Sequence, residues 1–438
     1  MNKSGTILRK DVIGWSLYDF ANTIYSMNIL SLYFKRWLVE DLGRDGLYYD
    51  LAYAGSMFVV AIIMPALGAL SDHSTKKKLF LFLFTASCCV AVGIIPAISS
   101  GYLIIIIILF GISNFFYEGG MVFYNALMYS ISDGKSARMV SGLGVSLGYL
   151  GAILGMILVL PFVEGELFGM EIPFLTGGGK PAAFLPSALL FFICAMPLFL
   201  WVKEKKELAK AVKTDVKTAY KEVWEGIRNT KKYPGVIRFL IADYFFEDAV
   251  ATVILNIGIF SSIVIGFSDA DLTIFLIVST VFATLGAFLI GKLTQFIKLK
   301  KMMNMIIWGW LVVLTLFIFI ENHLAIYILG SAIGVLLGGL WTVSRPLLAE
   351  MVPKKELGRF FGLYSLSGKA AAMIGPVLWG VIVYVFSPDR PAGKMLTDLS
   401  GISAEDADKL PYRLAVFSLM VAMAIGLYIF RKVPETED

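Results

Sequence analysis

The chain has 438 residues, 58% of them hydrophobic and 16% charged, with a formal net charge of +5. A soluble globular chain is about 45–50% apolar and about 25% charged, so this much apolar surface cannot be hidden in a soluble core. Lipid tolerates it when every backbone polar group is bonded inside a helix or a closed barrel, and long apolar runs such as Tyr102–Phe110 exclude the alternating pattern of barrel strands.

A spanning helix needs about 20 mostly apolar residues. Twelve windows qualify: Val12–Phe34, Tyr49–Leu70, Leu79–Ser99, Tyr102–Met128, Val140–Val163, Pro181–Val202, Gly235–Val264, Leu272–Phe296, Met302–Ile320, Leu324–Glu350, Phe360–Phe386 and Tyr412–Phe430. Span 1 carries Asp19 and Asn22 and lacks a small-residue cleavage site, so it reads as a span rather than a cleaved leader. Basic residues orient the chain. Lys76, Lys77 and Lys78 follow span 2, Lys298, Lys300 and Lys301 follow span 8, and the segment Lys203–Pro234 is rich in them. The positive-inside bias then places both termini and that segment in the cytoplasm. A cysteine replacing Lys213, in a background without native cysteines, is therefore expected to stay unlabelled by an impermeant thiol reagent added to intact cells. Ready labelling reverses the topology.

The central segment divides the chain into residues 1–202, a linker 203–234 and residues 235–438. Leu208, Val212, Val216, Ala219, Val223 and Ile227 recur at helical spacing. The linker is thus either an amphipathic helix on the inner leaflet or a solvated helix with a charged face. The halves look related. Gly68-Ala-Leu-Ser-Asp72 precedes a basic cluster at the end of span 2, and Gly291-Lys-Leu-Thr-Gln295 precedes another at the end of span 8. The expected fold is an all-α membrane protein, with twelve transmembrane helices in two six-helix pseudo-repeat halves. Transporters built on parallel repeats bind substrate near the midplane between the halves.

Charges inside a bilayer cost about 2.5–3.5 kcal/mol each on insertion scales and usually face a cavity or a partner. Seven stand out: Asp19, Glu118, Asp243, Glu247, Asp248, Arg345 and Lys369. Asp19, Asn22 and Ser26 share one face of span 1, and Asn114, Glu118 and Asn125 form a stripe on span 4. Tyr244, Asp248, Thr252 and Asn256 form another on span 7, with Asp243 and Glu247 on the adjoining face. Asp243 is either a cavity acid or an interfacial one paired with Arg238. Arg345 lines the cavity or snorkels. Lys369 lies too deep to reach the cytoplasmic interface easily; it either snorkels to water through the cavity or pairs with a span 7 acid, Glu247 first and Asp248 second. Trp15, Tyr18, Tyr117 and Trp341 are either stacking platforms or membrane-boundary anchors. Gly144, Gly148, Gly151 and Gly155 let a helix approach span 5 closely. Carboxylates at this depth suit proton coupling, sodium binding or a cationic substrate.

The stretch Gly68–Lys78 resembles the loop signature of the major facilitator superfamily. Trp15-Ser-Leu-Tyr-Asp-Phe-Ala-Asn22, Phe123-Tyr-Asn-Ala-Leu127, Ser141–Gly151, Ser344-Arg-Pro-Leu-Leu-Ala349, Phe360–Ala370 and Ile374-Gly-Pro376 narrow the resemblance to its vacuole-effluxer-like branch, named for a fungal vacuolar amino-acid exporter. The acid-rich span 7 departs from the pattern of that branch. The resemblance implies a secondary transporter whose spans 1, 4, 7 and 10 line the central cavity. The expected cavity residues are Asp19, Asn22, Ser26, Asn114, Glu118, Asn125, Tyr244, Glu247, Asp248, Thr252, Trp341, Arg345 and Lys369. Gly68, Asp72, Lys76, Lys77 and Lys78 form the expected gating loop, a latch closed by Asp72.

These features point to a small polar or amphipathic solute such as an amino acid, moved by alternating access with a proton, or else sodium, as coupling ion. A lipid flippase or scramblase on the same scaffold is the other reading. No nucleotide-binding loop, HExxH or Ser-His-Asp arrangement suggests an enzyme. No cofactor, metal or nucleic-acid partner is expected, and a monomer in a prokaryotic inner membrane is. His73 and His323 fall on opposite sides in this topology, and Cys88, Cys89 and Cys194 lie within apolar runs.

Overall fold

The computed structural model describes residues 9–73, 76–131, 135–172, 175–204, 217, 218, 220, 221, 224, 228, 233–352 and 357–434. Side chains at 69, 71–73, 129, 130, 135–139, 234, 357–359, 361, 362 and 365 lie outside this description. So do the side chain of Asp72 and most of the linker 203–234.

The spans are helices α1 (Lys10–Tyr25), α2 (Leu47–His73), α3 (Lys77–Gly93), α4 (Leu103–Ile131), α5 (Lys135–Glu164) and α6 (Phe184–Trp201). They continue with α7 (Pro234–Phe260), α8 (Asp269–Leu293), α9 (Leu299–Phe319), α10 (His323–Met351), α11 (Leu357–Phe386) and α12 (Ala404–Arg431). Eleven of the described helices are long and apolar enough to cross a membrane. The twelfth is α1, whose regular part has 16 residues but which runs on through π-helical turns at Ser26–Tyr33 and Trp37–Asp41. The first span therefore extends past its expected end at Phe34. Lys35 and Arg36 are consequently buried, and Arg36 donates to Glu40 at 3.0 Å. The end of α7 carries a matching π segment, Ser261–Ile265.

Helix ends follow local chemistry. Ser268 and Asp271 close a capping box on α8, and Asn322 and Ser403 cap α10 and α12. A two-stranded ribbon, β1 (Glu166–Leu167) with β2 (Met170–Glu171), follows α5, and a short helix, Pro391–Ser400, precedes α12.

The chain forms two compact units, Met1–Leu42 with Gly55–Glu222, and Gly43–Ala54 with Val223–Asp438. In the first, α1 packs on α5 and α6, and α3 on α4 and α6. The α1–α5 contact depends on glycine. A Cβ at Gly151 would fall on the Phe20 carbonyl oxygen, and one at Gly155 would meet Ile24 Cγ1 at 2.9 Å. In the second unit, α8 packs on α10, and α7 on α11 and α12. There Gly334 and Gly338 of α10 leave room for the Ser279 and Ala283 carbonyls of α8. At the start of α2, Leu47 and Asp50 lie against Gly380 of α11.

Candidate functional site

In the first unit the polar side chains gather around Asp19. The side-chain amide of Asn22 donates to Asp19 Oδ1 at 3.2 Å. Asp19 Oδ2 rests over Gly144, 2.5 Å from where a Cβ would stand. The Tyr124 hydroxyl faces this carboxylate without reaching a hydrogen bond of standard geometry. The Tyr124 ring is held by Trp15, stacked at 4.4 Å and 8°, and by Tyr18 at 4.8 Å. Trp15 Nε1 also donates to the Tyr124 carbonyl at 3.0 Å. Trp15 and Tyr18 are therefore buried pieces of one aromatic cluster rather than boundary anchors. Thr23 Oγ1 lies 2.7 Å from the Gly148 carbonyl, tying α1 to α5 one turn beyond Asp19.

The remaining expected residues of this unit disperse. Ser26 donates back along its helix to the Thr23 carbonyl at 3.2 Å. Asn114 is buried and donates to Ser56 Oγ at 2.8 Å. Glu118 is half-buried beside Tyr117, and Asn125 is exposed. Within the last turns of α2, a Cβ at Gly68 would meet nothing within 4 Å among the described residues. Lys76 is exposed and Lys77 half-buried, while Lys78 Nζ donates to the Val202 carbonyl at 3.0 Å and its backbone N–H to Glu204. Lys78 thus binds the end of α6, where a cation suits the helix carbonyls.

In the second unit the charges converge on Glu247 of α7. Trp341 Nε1 of α10 donates to Glu247 Oε2 at 3.2 Å. Arg345 and Lys369 both act on the same carboxylate electrostatically. The structure therefore brings Glu247, Trp341, Arg345 and Lys369 together from three helices. It also brings in two residues outside the expected set. Asp243, one turn before Glu247, is 1% exposed, and both of its carboxyl oxygens lack a hydrogen-bond partner among the described residues. Arg238, weighed as its partner, donates instead to the Lys432 carbonyl at 3.1 Å. Tyr364 of α11 meets the Ser344 side chain and lies within electrostatic reach of Asp243, Glu247 and Arg345. It sits inside the Phe360–Ala370 motif, which was the one sequence signal for it.

The polar stripe of α7 splits. Tyr244 is half-buried, whereas Asp248, Thr252 and Asn256 are buried on the side of α11. Asp248 Oδ1 accepts from the Gly375 N–H at 2.6 Å, and Asn256 donates to the Thr252 carbonyl at 2.9 Å. Among the described residues no cluster of His, Cys, Asp and Glu is arranged to hold a metal ion.

Twelve spanning helices with charged side chains held at depth in each unit define a multi-pass membrane transporter of the major facilitator class. Residues 49–404 match the family described as vacuole effluxer Atg22 like, and the chain belongs to that family. It is 26% identical over 431 residues to YxiO of Bacillus subtilis (strain 168), described as an uncharacterized MFS-type transporter, covering 96% of this chain and 94% of that one. Among solved structures it is similar to a point mutant of the nucleoside transporter NupG, with TM-score 0.75 and 13% identity, covering 97% of this chain and 99% of that one. It is also similar to a bacterial homologue of the human lysosomal transporter Spinster, with TM-score 0.72 and 12% identity over 98% and 96% of the two chains. The family and these folds are those of transporters, not enzymes.

Proposed function

We propose that this protein moves a small polar or amphipathic solute across a prokaryotic inner membrane by alternating access, coupled to protons. The supporting observation is the cluster of Glu247 with Trp341, Arg345 and Lys369 on three spanning helices. Two cations and a carboxylate at that depth form a site where a solute bearing a carboxylate and an amine exchanges partners with the protein's own charges. An amino acid has that chemistry, and the family description, vacuole effluxer, fits it. The moving bodies in this reading are residues 1–202 and 235–438, joined by 203–234.

Asp19 is the first candidate for the coupling proton and Glu118 the second. Asp19→Asn or Glu118→Gln is expected to abolish gradient-driven accumulation while the protein still folds and exchanges substrate down its gradient. Wild-type accumulation in both variants removes these acids from coupling. The test is flux in proteoliposomes with an imposed pH gradient, an imposed sodium gradient or neither, after a thermal-shift screen of amino acids, peptides, nucleosides and lysolipids. A ligand at a hundred times its dissociation constant stabilises the folded state by about 2.7 kcal/mol. Flux driven by the pH gradient supports the proposal. Flux that follows sodium alone moves the coupling to that ion, and gradient-independent lipid exchange makes the protein a flippase or scramblase.

A further inference from the structure

Helix α11 is broken in its middle. Pro376 has no N–H to offer the Ala372 carbonyl, and its ring crowds that carbonyl. Ala372 accordingly leaves helical geometry, with ψ at 16°. The turn after such a break starts like a helix N-terminus, with N–H groups that need an acceptor from outside. Asp248 of α7 supplies one, taking the Gly375 N–H at 2.6 Å while only 4% exposed. Gly375 makes the approach possible, because a Cβ there would fall on Thr252 Oγ1 and stand 2.8 Å from Asp248 Oδ2. Thr252 Oγ1 is itself turned back to the Asp248 carbonyl at 2.7 Å.

The same Asp-x-x-x-Thr pattern occurs on α1 as Asp19 and Thr23, with Asp19 likewise seated on a glycine, Gly144. Helix α5 runs unbroken through Lys135–Glu164, so its N–H groups there are used within the helix. Asp19 takes Asn22 instead. The two halves therefore carry one motif with two partners, a side-chain amide in the first and the backbone of a broken helix in the second.

We propose that Asp248 is a positioning residue, a helix cap supplied by α7 that holds the break in α11 and so sets where the arm carrying Tyr364 and Lys369 stands beside Glu247. Its job is to accept one N–H, and a neutral acceptor of the same shape does it equally well. The inference does not depend on the transport reading, since its readout is a distance within α11.

Spin labels on cysteines replacing Leu366 and Val381, on either side of the break, report the angle of α11 in the full-length protein in liposomes. The wild type and Asp248→Asn are expected to give the same narrow distance distribution, with the same response between pH 5 and pH 9. Asp248→Ala and Gly375→Ala are expected to broaden or shift it. Among the described residues the ionisable groups around Asp248 and the arm include Asp243, Tyr244, Glu247, Arg345, Tyr364 and Lys369, and they are unchanged in every variant, so any pH response they cause is common to all. A shifted distribution in Asp248→Asn, or a pH response lost only in that variant, overturns the proposal and makes the charge of Asp248 its working feature. A wild-type distribution in Asp248→Ala also overturns it. Should Asp248→Ala fail to fold, the comparison of wild type with Asp248→Asn decides alone.

Discussion

Glu247→Ala is expected to lower the apparent melting temperature more than the double variant Glu247→Ala, Lys369→Ala does. The carboxylate of Glu247 lies within electrostatic reach of Arg345 and Lys369 and is the acceptor for Trp341. Removing it takes away the anion that acts on two cations and the acceptor of one indole N–H. Removing Lys369 as well takes away the half-buried one of those two cations, Arg345 being exposed, so the second substitution partly repairs the first. Lys369→Ala by itself leaves Arg345 to balance Glu247 and should be the milder single change. The coupling between the two positions is expected at about 1–3 kcal/mol, the range of residues sharing one network. A parallel cycle with Asp248→Ala should show weaker coupling than the Glu247 cycle, because Asp248 bonds the Gly375 N–H and bears on Lys369 only through the placement of the α11 arm. Additivity within about 0.5 kcal/mol in the Glu247 cycle sinks the pairing, and strong coupling in the Asp248 cycle reassigns it.

Gly151→Val is expected to disrupt the first unit. The substituted Cβ would clash with the Phe20 carbonyl oxygen, a backbone atom that no rotamer change can move aside. Helices α1 and α5 must separate, and with them the contacts that seat Asp19 on Gly144 and Thr23 on Gly148. Forcing bulk into a packed contact costs about 1–3 kcal/mol, and more where backbone must shift. At about 3 kcal/mol, for a unit of this size, the apparent melting temperature falls by about 6–12 °C. Gly142→Val is the control, since among the described residues nothing lies within 4 Å of a Cβ there. Equal melting of the two variants would show that the close approach is not needed.

The number of spans, their order and the close-packing glycines of α5 were legible in the residues, because each is a local property. Bilayer thickness sets the length of an apolar run, and a stripe of glycines at helical spacing faces one way whatever lies opposite. The expectation that Lys369 pairs with Glu247 came from a cation's need for an anion, with span 7 supplying the candidates, and the two lie within electrostatic reach of each other. What the residues leave open is which neighbour each face meets. Asp248 and Glu247 are adjacent in sequence and differ by about 100° around α7, so one bonds the broken backbone of α11 while the other faces α10. Pro376 announces a break, but not the carboxylate that caps it. Asp243 was open to two readings, a cavity acid or an interfacial one, and helix packing buries it within electrostatic reach of Tyr364. Tyr124 looked like one aromatic among many until Trp15 and Tyr18 fixed its ring beside Asp19. Periodicity in one helix defines a face, but only the packing of other helices against it decides whether that face becomes a site, a clasp or plain core.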